Sequence, residues 1–285
     1  CHSSPVHHRI LEALDAMGSP NAGAAAAAIV RAVPMDKDRA LLYELDAYES
    51  LTARVLARSG RAAEVVETCL AVLGDPSARG SQDLVAAVGA SPHAERHIRQ
   101  HTPRARAAQI LSVVAADPAV APRIRARVAE ELAKPAAEER SWVAFMLLRT
   151  LGRLRDAGSA EFVRGVLADG PTEVSLGTNP PPNHWALKAM RPYPRAAAAW
   201  ALGEIGDAAS APALTAALEN MDNAPAVREA AAIALGRVAA PAMAAELSAR
   251  GDAHPELTVQ RALWEAAASL AGRPQEPVPA PADPA

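Results

Sequence analysis

The feature that most constrains this chain is repetition in its last third. RAAAAWALGEIGDAASAPALTAALEN (195–220) is followed by AVREAAAIALGRVAAPAMAAELSAR (226–250) and then by TVQRALWEAAASLAGR (258–273). Superposing the Leu-Gly pairs places Leu202 on Leu235, 33 positions on, and Leu270 follows after a further 35. A period of this size means stacked supersecondary units, each too small to bury its apolar face alone. In the first unit Ala198, Leu202 and Ile205 share one helical face. Gly206-Asp207 then breaks the helix, and Pro212 opens a second one, where a missing N–H costs little. Ala213, Leu214, Ala217 and Leu218 form the apolar stripe of that second helix.

Composition supports the same class. Half of the residues are hydrophobic but only 3% are aromatic, alanine is abundant, and no stretch alternates in the manner of a strand. The expected fold is all-α. Weaker copies lie upstream. RSWVAFMLLRTLGRLRDAGSAEFVRGVLAD (140–169) carries Leu151-Gly152 and Asp156 at the matching places, and RARAAQILSVVAADPAVAPRIRARVAEELA (104–133) breaks at Asp117-Pro118. Residues 6–103 read as helices with no fixed period.

Three elements, ALGEIGD, SAPALTAAL and VREAAAIALGRV, carry a resemblance. Segment 195–250 resembles HEAT repeats, in particular the short HEAT-like repeats of phycobilisome lyases. The resemblance implies an α-solenoid of HEAT-like helix pairs with a less regular helical N-terminal part. The expected organisation is a tether at 1–5, an irregular helical region at 6–103, repeats over 104–273 and a Pro-rich tail at 274–285, the last reading as extended polyproline-like chain.

The repeat period is interrupted once. Leu151 and Leu202 lie 51 positions apart because GPTEVSLGTNPPPNHWALKAMRPYP (170–194) is inserted between them. Insertions in solenoids collect on one face, often the binding face. Trp185 and Tyr193 stand out in an aromatic-poor chain, and Lys188 and Arg191 lie beside them. Aromatics with arginine are common interface anchors. The expected partner-binding residues are therefore Trp185, Tyr193, Lys188 and Arg191. Arg195 and Arg228 join them because they open the helices of successive units.

Charge excludes one class of partner. A net charge of −3 with no basic stripe does not suit a nucleic-acid binder. No run approaches the ~20 apolar residues of a membrane-spanning helix; the longest bland stretch, NAGAAAAAIVRAV, is interrupted by Arg31. No G-x-S-x-G elbow, P-loop or dinucleotide fingerprint is present, so no enzyme activity and no cofactor are expected. The acid pairs Glu130-Glu131 and Glu138-Glu139 lie beside arginine and lysine and read as surface helix pairs. Cys69 follows an apolar stripe and reads as a buried core thiol.

Two stretches carry candidate ligands. In SPHAERHIRQHTP (91–103), His93, His97 and His101 recur every four residues on one helical face, where neighbouring imidazoles can share a metal ion. The opening CHSSPVHH places His2, His7 and His8 near Cys1. It resembles the mature end of a bacterial lipoprotein, in which such a cysteine carries the acyl chains and a short polar stretch forms the tether. The sequence thus leads to a non-catalytic protein-binding scaffold or accessory subunit of an envelope complex, facing the periplasm or cell exterior and anchored through lipidated Cys1. The alternatives are a metal- or haem-binding protein using the histidines, and a tetrapyrrole lyase or chaperone.

Overall fold

The computed structural model describes residues 13, 16, 62–75, 103–134, 138–171 and 193–272. Among these residues every regular element is helical, and the fold is all-α and solenoidal. The described residues form two compact units, divided between Leu154 and Arg155.

The first unit contains α1 (Ala62–Gly74), α2 (Pro103–Val114), α3 (Ala121–Ala133) and α4 (Glu138–Leu154). Helix α1 packs on α2, α2 on α4, and α3 on α4. Its core is aliphatic, with Ile110, Leu111, Ile124, Leu147, Leu148 and Leu151 fully buried. Cys69 is also fully buried, and desolvation pushes its thiol up to about 12. On the surface Arg123 of α3 grips Glu67 of α1 with two hydrogen bonds of 2.5 and 2.9 Å, which hold the Glu67 carboxyl below its ordinary range.

The second unit contains α5 (Ala160–Asp169), α6 (Pro194–Ile205), α7 (Ala211–Glu219), α8 (Pro225–Val238), α9 (Ala244–Ala253) and α10 (Leu257–Leu270). Helices α6, α8 and α10 stack side by side in one row. Against that row pack α5 on α6, α7 on α8 and α9 on α10. The two helices of a sequence repeat, such as α6 and α7, are therefore not each other's main partners. Each repeat's second helix seals the first helix of the next repeat, which is why one repeat alone could not bury its apolar face.

Small side chains let the row close up. Ala198, Ala199, Ala201 and Leu202 of α6 are fully buried, as are Ala231, Ala232, Ala234 and Leu235 of α8. Gly203 faces Ala234 and Gly236 faces Ala266; a methyl group at either glycine would lie 2.9 or 2.8 Å from the opposing Cα. The equivalent of Leu235 on α10 is therefore Ala267, 32 positions on, and not Leu270, which is only half-buried. One residue fewer in the connector rotates α10 about 100° relative to a strict 33-residue repeat.

Three of the four described corners between first and second helices are built on an aspartate; the α8–α9 corner has Ala240 there instead. Asp117, Asp156 and Asp207 each adopt an extended backbone, with ψ of 115, 104 and 103°, before a single 3-10 turn. Asp117 accepts from the Ala119 N–H at 2.9 Å, and Asp207 from the Ala209 N–H at 3.3 Å. Ser159 and Ser210, both fully buried, donate their hydroxyls to Asp156 and Asp207 at 2.6 and 2.7 Å. Gly206 ends α6 in the left-handed region at φ 77°, as its sequence suggests, whereas Arg155 takes the equivalent place after α4 at φ 50°. Among the described residues no helix is long and apolar enough to cross a membrane.

Candidate protein-binding surface

Of the expected contact residues, Trp185, Lys188 and Arg191 lie outside the described residues, as do Cys1, the histidines at 2, 7 and 8, and His93, His97 and His101. Tyr193, Arg195 and Arg228 lie within them, all on one edge of the second unit. This edge carries the starts of α6, α8 and α10 and the ends of α5, α7 and α9.

Arg228 is 2% exposed. Its guanidinium donates to the Met221 carbonyl at 3.0 Å and to the Asn223 carbonyl, and it grips both carboxylate oxygens of Glu256, one at 3.1 Å. It thereby ties the α7–α8 connector to the α9–α10 connector. Arg195 does the same one repeat earlier, donating to the Gly170 carbonyl at 2.6 Å and to Asn223 Oδ1 at 3.1 Å. Asn223 in turn donates to the Ala217 carbonyl at 2.8 Å, so both ends of its side-chain amide have partners.

The same device occurs twice more. In the first unit Arg104 donates to the Leu73 carbonyl at 3.3 Å and pairs with Glu131. At the start of α10 the position is held by Gln260, whose amide donates to the His254 carbonyl at 2.6 Å. Arg261, which a 33-residue period would place on Arg228, is 64% exposed at its side chain and pairs with Glu265 of its own helix.

Two expectations change accordingly. Tyr193 is 7% exposed and Arg228 is more buried still, so both serve the interior and their assignment as partner contacts is set aside. The Arg228 guanidinium is already engaged by carbonyls and a carboxylate and is closed off from solvent. The reading of Glu130-Glu131 as a surface pair holds for Glu130 and fails for Glu131. Glu131 is 1% exposed and is held by Arg104 and Lys134, because α2 delivers Arg104 over that part of α3.

What the second unit does present outward is different in kind. Met221 and Leu257 are the exposed large hydrophobic residues among the described ones, at 58% and 68%. Met221 stands on the α7–α8 connector and Leu257 opens α10, each next to a group held by Arg228. On the row face, Glu229 of α8 is half-buried, and burial followed by the nearby Glu265 raises its carboxyl above the ordinary range, with Arg261 partly offsetting them. Sequence reasoning missed Met221 and Leu257 because a single exposed apolar residue in a turn or at a helix start has no periodic signature. No group of three or more His, Cys, Asp or Glu side chains poised for a metal ion occurs among the described residues.

No curated protein and no solved structure matches the chain. A family model does: residues 180–268 match HEAT repeats, spanning the α6–α10 stack whose geometry is described above. This segment of the chain is similar to HEAT repeats.

Proposed function

We propose that this protein is a non-catalytic scaffold that binds another protein as an accessory subunit of a membrane-associated envelope complex, tethered by acyl chains on Cys1. HEAT repeats commonly serve protein interaction, and a solenoid offers an extended surface for it. The observation that carries the reading is the investment in rigid connectors. Arg104, Arg195, Arg228 and Gln260 each fix a connector by hydrogen bonds to the main chain, which keeps one edge of each unit in a set shape. Pre-organised surfaces bind with less ordering cost. The Cys1 anchor rests on the lipoprotein-like CHSSP opening, and the envelope location follows from that anchor.

The test is intact mass of the native protein purified from membranes, with metal and haem assays and partner identification on the same sample. Mass excess equal to two or three acyl chains, together with a stoichiometric protein partner, is the expected result. An unmodified Cys1 with stoichiometric metal or haem would overturn it in favour of the histidine sites. A bound tetrapyrrole would favour a lyase- or chaperone-like role.

A further inference from the structure

In the second unit, the connector edge brings solvent-facing large apolar side chains together with carboxylates that are not compensated by charge. Met221 projects from the α7–α8 connector and Leu257 from the first turn of α10, and the two share one anchor, since Arg228 holds the Met221 carbonyl and also Glu256, the neighbour of Leu257. The basic residues of this edge are already committed to the protein itself. Arg195 is bound to Gly170 and Asn223, Arg228 is buried, and Arg250 is shared between Glu219 at 2.6 Å and Glu246 at 2.7 Å. The carboxylates are not all so committed. Asp169, which ends α5, and Asp222, beside Met221, are exposed, and their side chains make no hydrogen bond or ion pair among the described residues. Asp252 spends one oxygen on the Trp264 indole N–H at 3.0 Å and remains exposed.

Two rigidly mounted apolar side chains beside unpaired carboxylates define the chemistry that complements them. Apolar contact supplies the anchor, and opposite charge at the rim sets orientation and association rate. We propose that this edge docks a partner-protein segment carrying apolar side chains flanked by lysine or arginine. The proposal rests on the scaffold reading and adds to it the surface used and the chemistry of what it receives.

The experiment uses the full chain in its native membranes, with the photocrosslinking residue p-benzoylphenylalanine replacing Met221 or Leu257. Ala216 and Ala245, exposed on α7 and α9, serve as comparison positions. The expected result is an adduct from Met221 and Leu257 positions to one protein, whose crosslinked peptide, once sequenced, carries apolar residues with flanking Lys or Arg. Asp169→Asn with Asp222→Asn should lower the yield at least threefold, and the loss should shrink at high salt. An adduct to lipid, to a second copy of this chain or to an acidic peptide would overturn the proposal, as would a yield indifferent to the two Asn substitutions. Adducts from Ala216 or Ala245 alone would sink the edge while leaving the scaffold reading intact. Silence at all four positions would sink both.

Discussion

Arg228 and Arg261 stand 33 positions apart, and a strict repeat makes them equivalents. Their surroundings predict opposite outcomes on substitution. Arg228→Ala removes a guanidinium that is 3% exposed and strands the Asn223 carbonyl, the Met221 carbonyl and the Glu256 carboxylate. Breaking a buried ion pair by deleting one partner costs about 3–5 kcal/mol. Glu256 keeps 29% of its side chain in solvent and can rehydrate, which brings the expectation down to about 3 kcal/mol. For a chain of this size that lowers Tm by roughly 6–12 °C. Arg261→Ala removes an exposed pair within one helix turn, worth about 0.3–0.5 kcal/mol, and should shift Tm by less than about 2 °C. Thermal and urea unfolding followed by circular dichroism measures both. A double-mutant cycle of Arg228→Ala with Glu256→Gln should return a coupling of about 2 kcal/mol. If Arg228→Ala costs no more than Arg261→Ala, the arginine contacts do not hold the connectors.

Further outcomes follow from the same geometry. Gly236→Ala gains about 1 kcal/mol of helix propensity but drives a methyl group to 2.8 Å from the Ala266 Cα. Overpacking against backbone costs about 1–3 kcal/mol, so this variant should be neutral to destabilised. Gly165→Ala meets nothing within 4 Å and should stabilise by about 0.5–1 kcal/mol; urea midpoints for the two variants should move apart. Glu229 has a raised carboxyl pKa, so the unfolded chain releases this proton first and stability falls as pH climbs above about 4.5. Glu229→Gln should remove that loss, leaving the variant a few tenths of a kcal/mol more stable at pH 7 after solvent screening. A Cys1→Ser variant should react with a thiol reagent at pH 8 only as fast as it opens, because the Cys69 thiol is buried and its pKa stands near 12. Labelling at the rate of a free thiol would place Cys69 outside the core.

The sequence by itself determined the elements. Apolar spacing at helical period, Gly206-Asp207, Asp117-Pro118 and Pro212 locate helices and corners from local physics alone: backbone freedom at glycine, a fixed φ at proline, and a side-chain acceptor for free N–H groups. Where local chemistry differed, as with Arg155 in the place of Gly206, the corner still formed because Asp156 and Ser159 supplied the rest of it. Only the tertiary structure decided which helices seal which, and which polar residues are interior. Arg195, Arg228 and Arg261 are indistinguishable as letters at a constant interval. A connector one residue shorter turns α10 so that Gln260 meets the main chain and Arg261 meets water. Glu131 is buried for the same kind of reason, since the Arg104 that compensates it arrives from another helix, 27 residues away. Burial of charge is a property of two or more elements brought together, and a single helix's pattern carries no record of its neighbour.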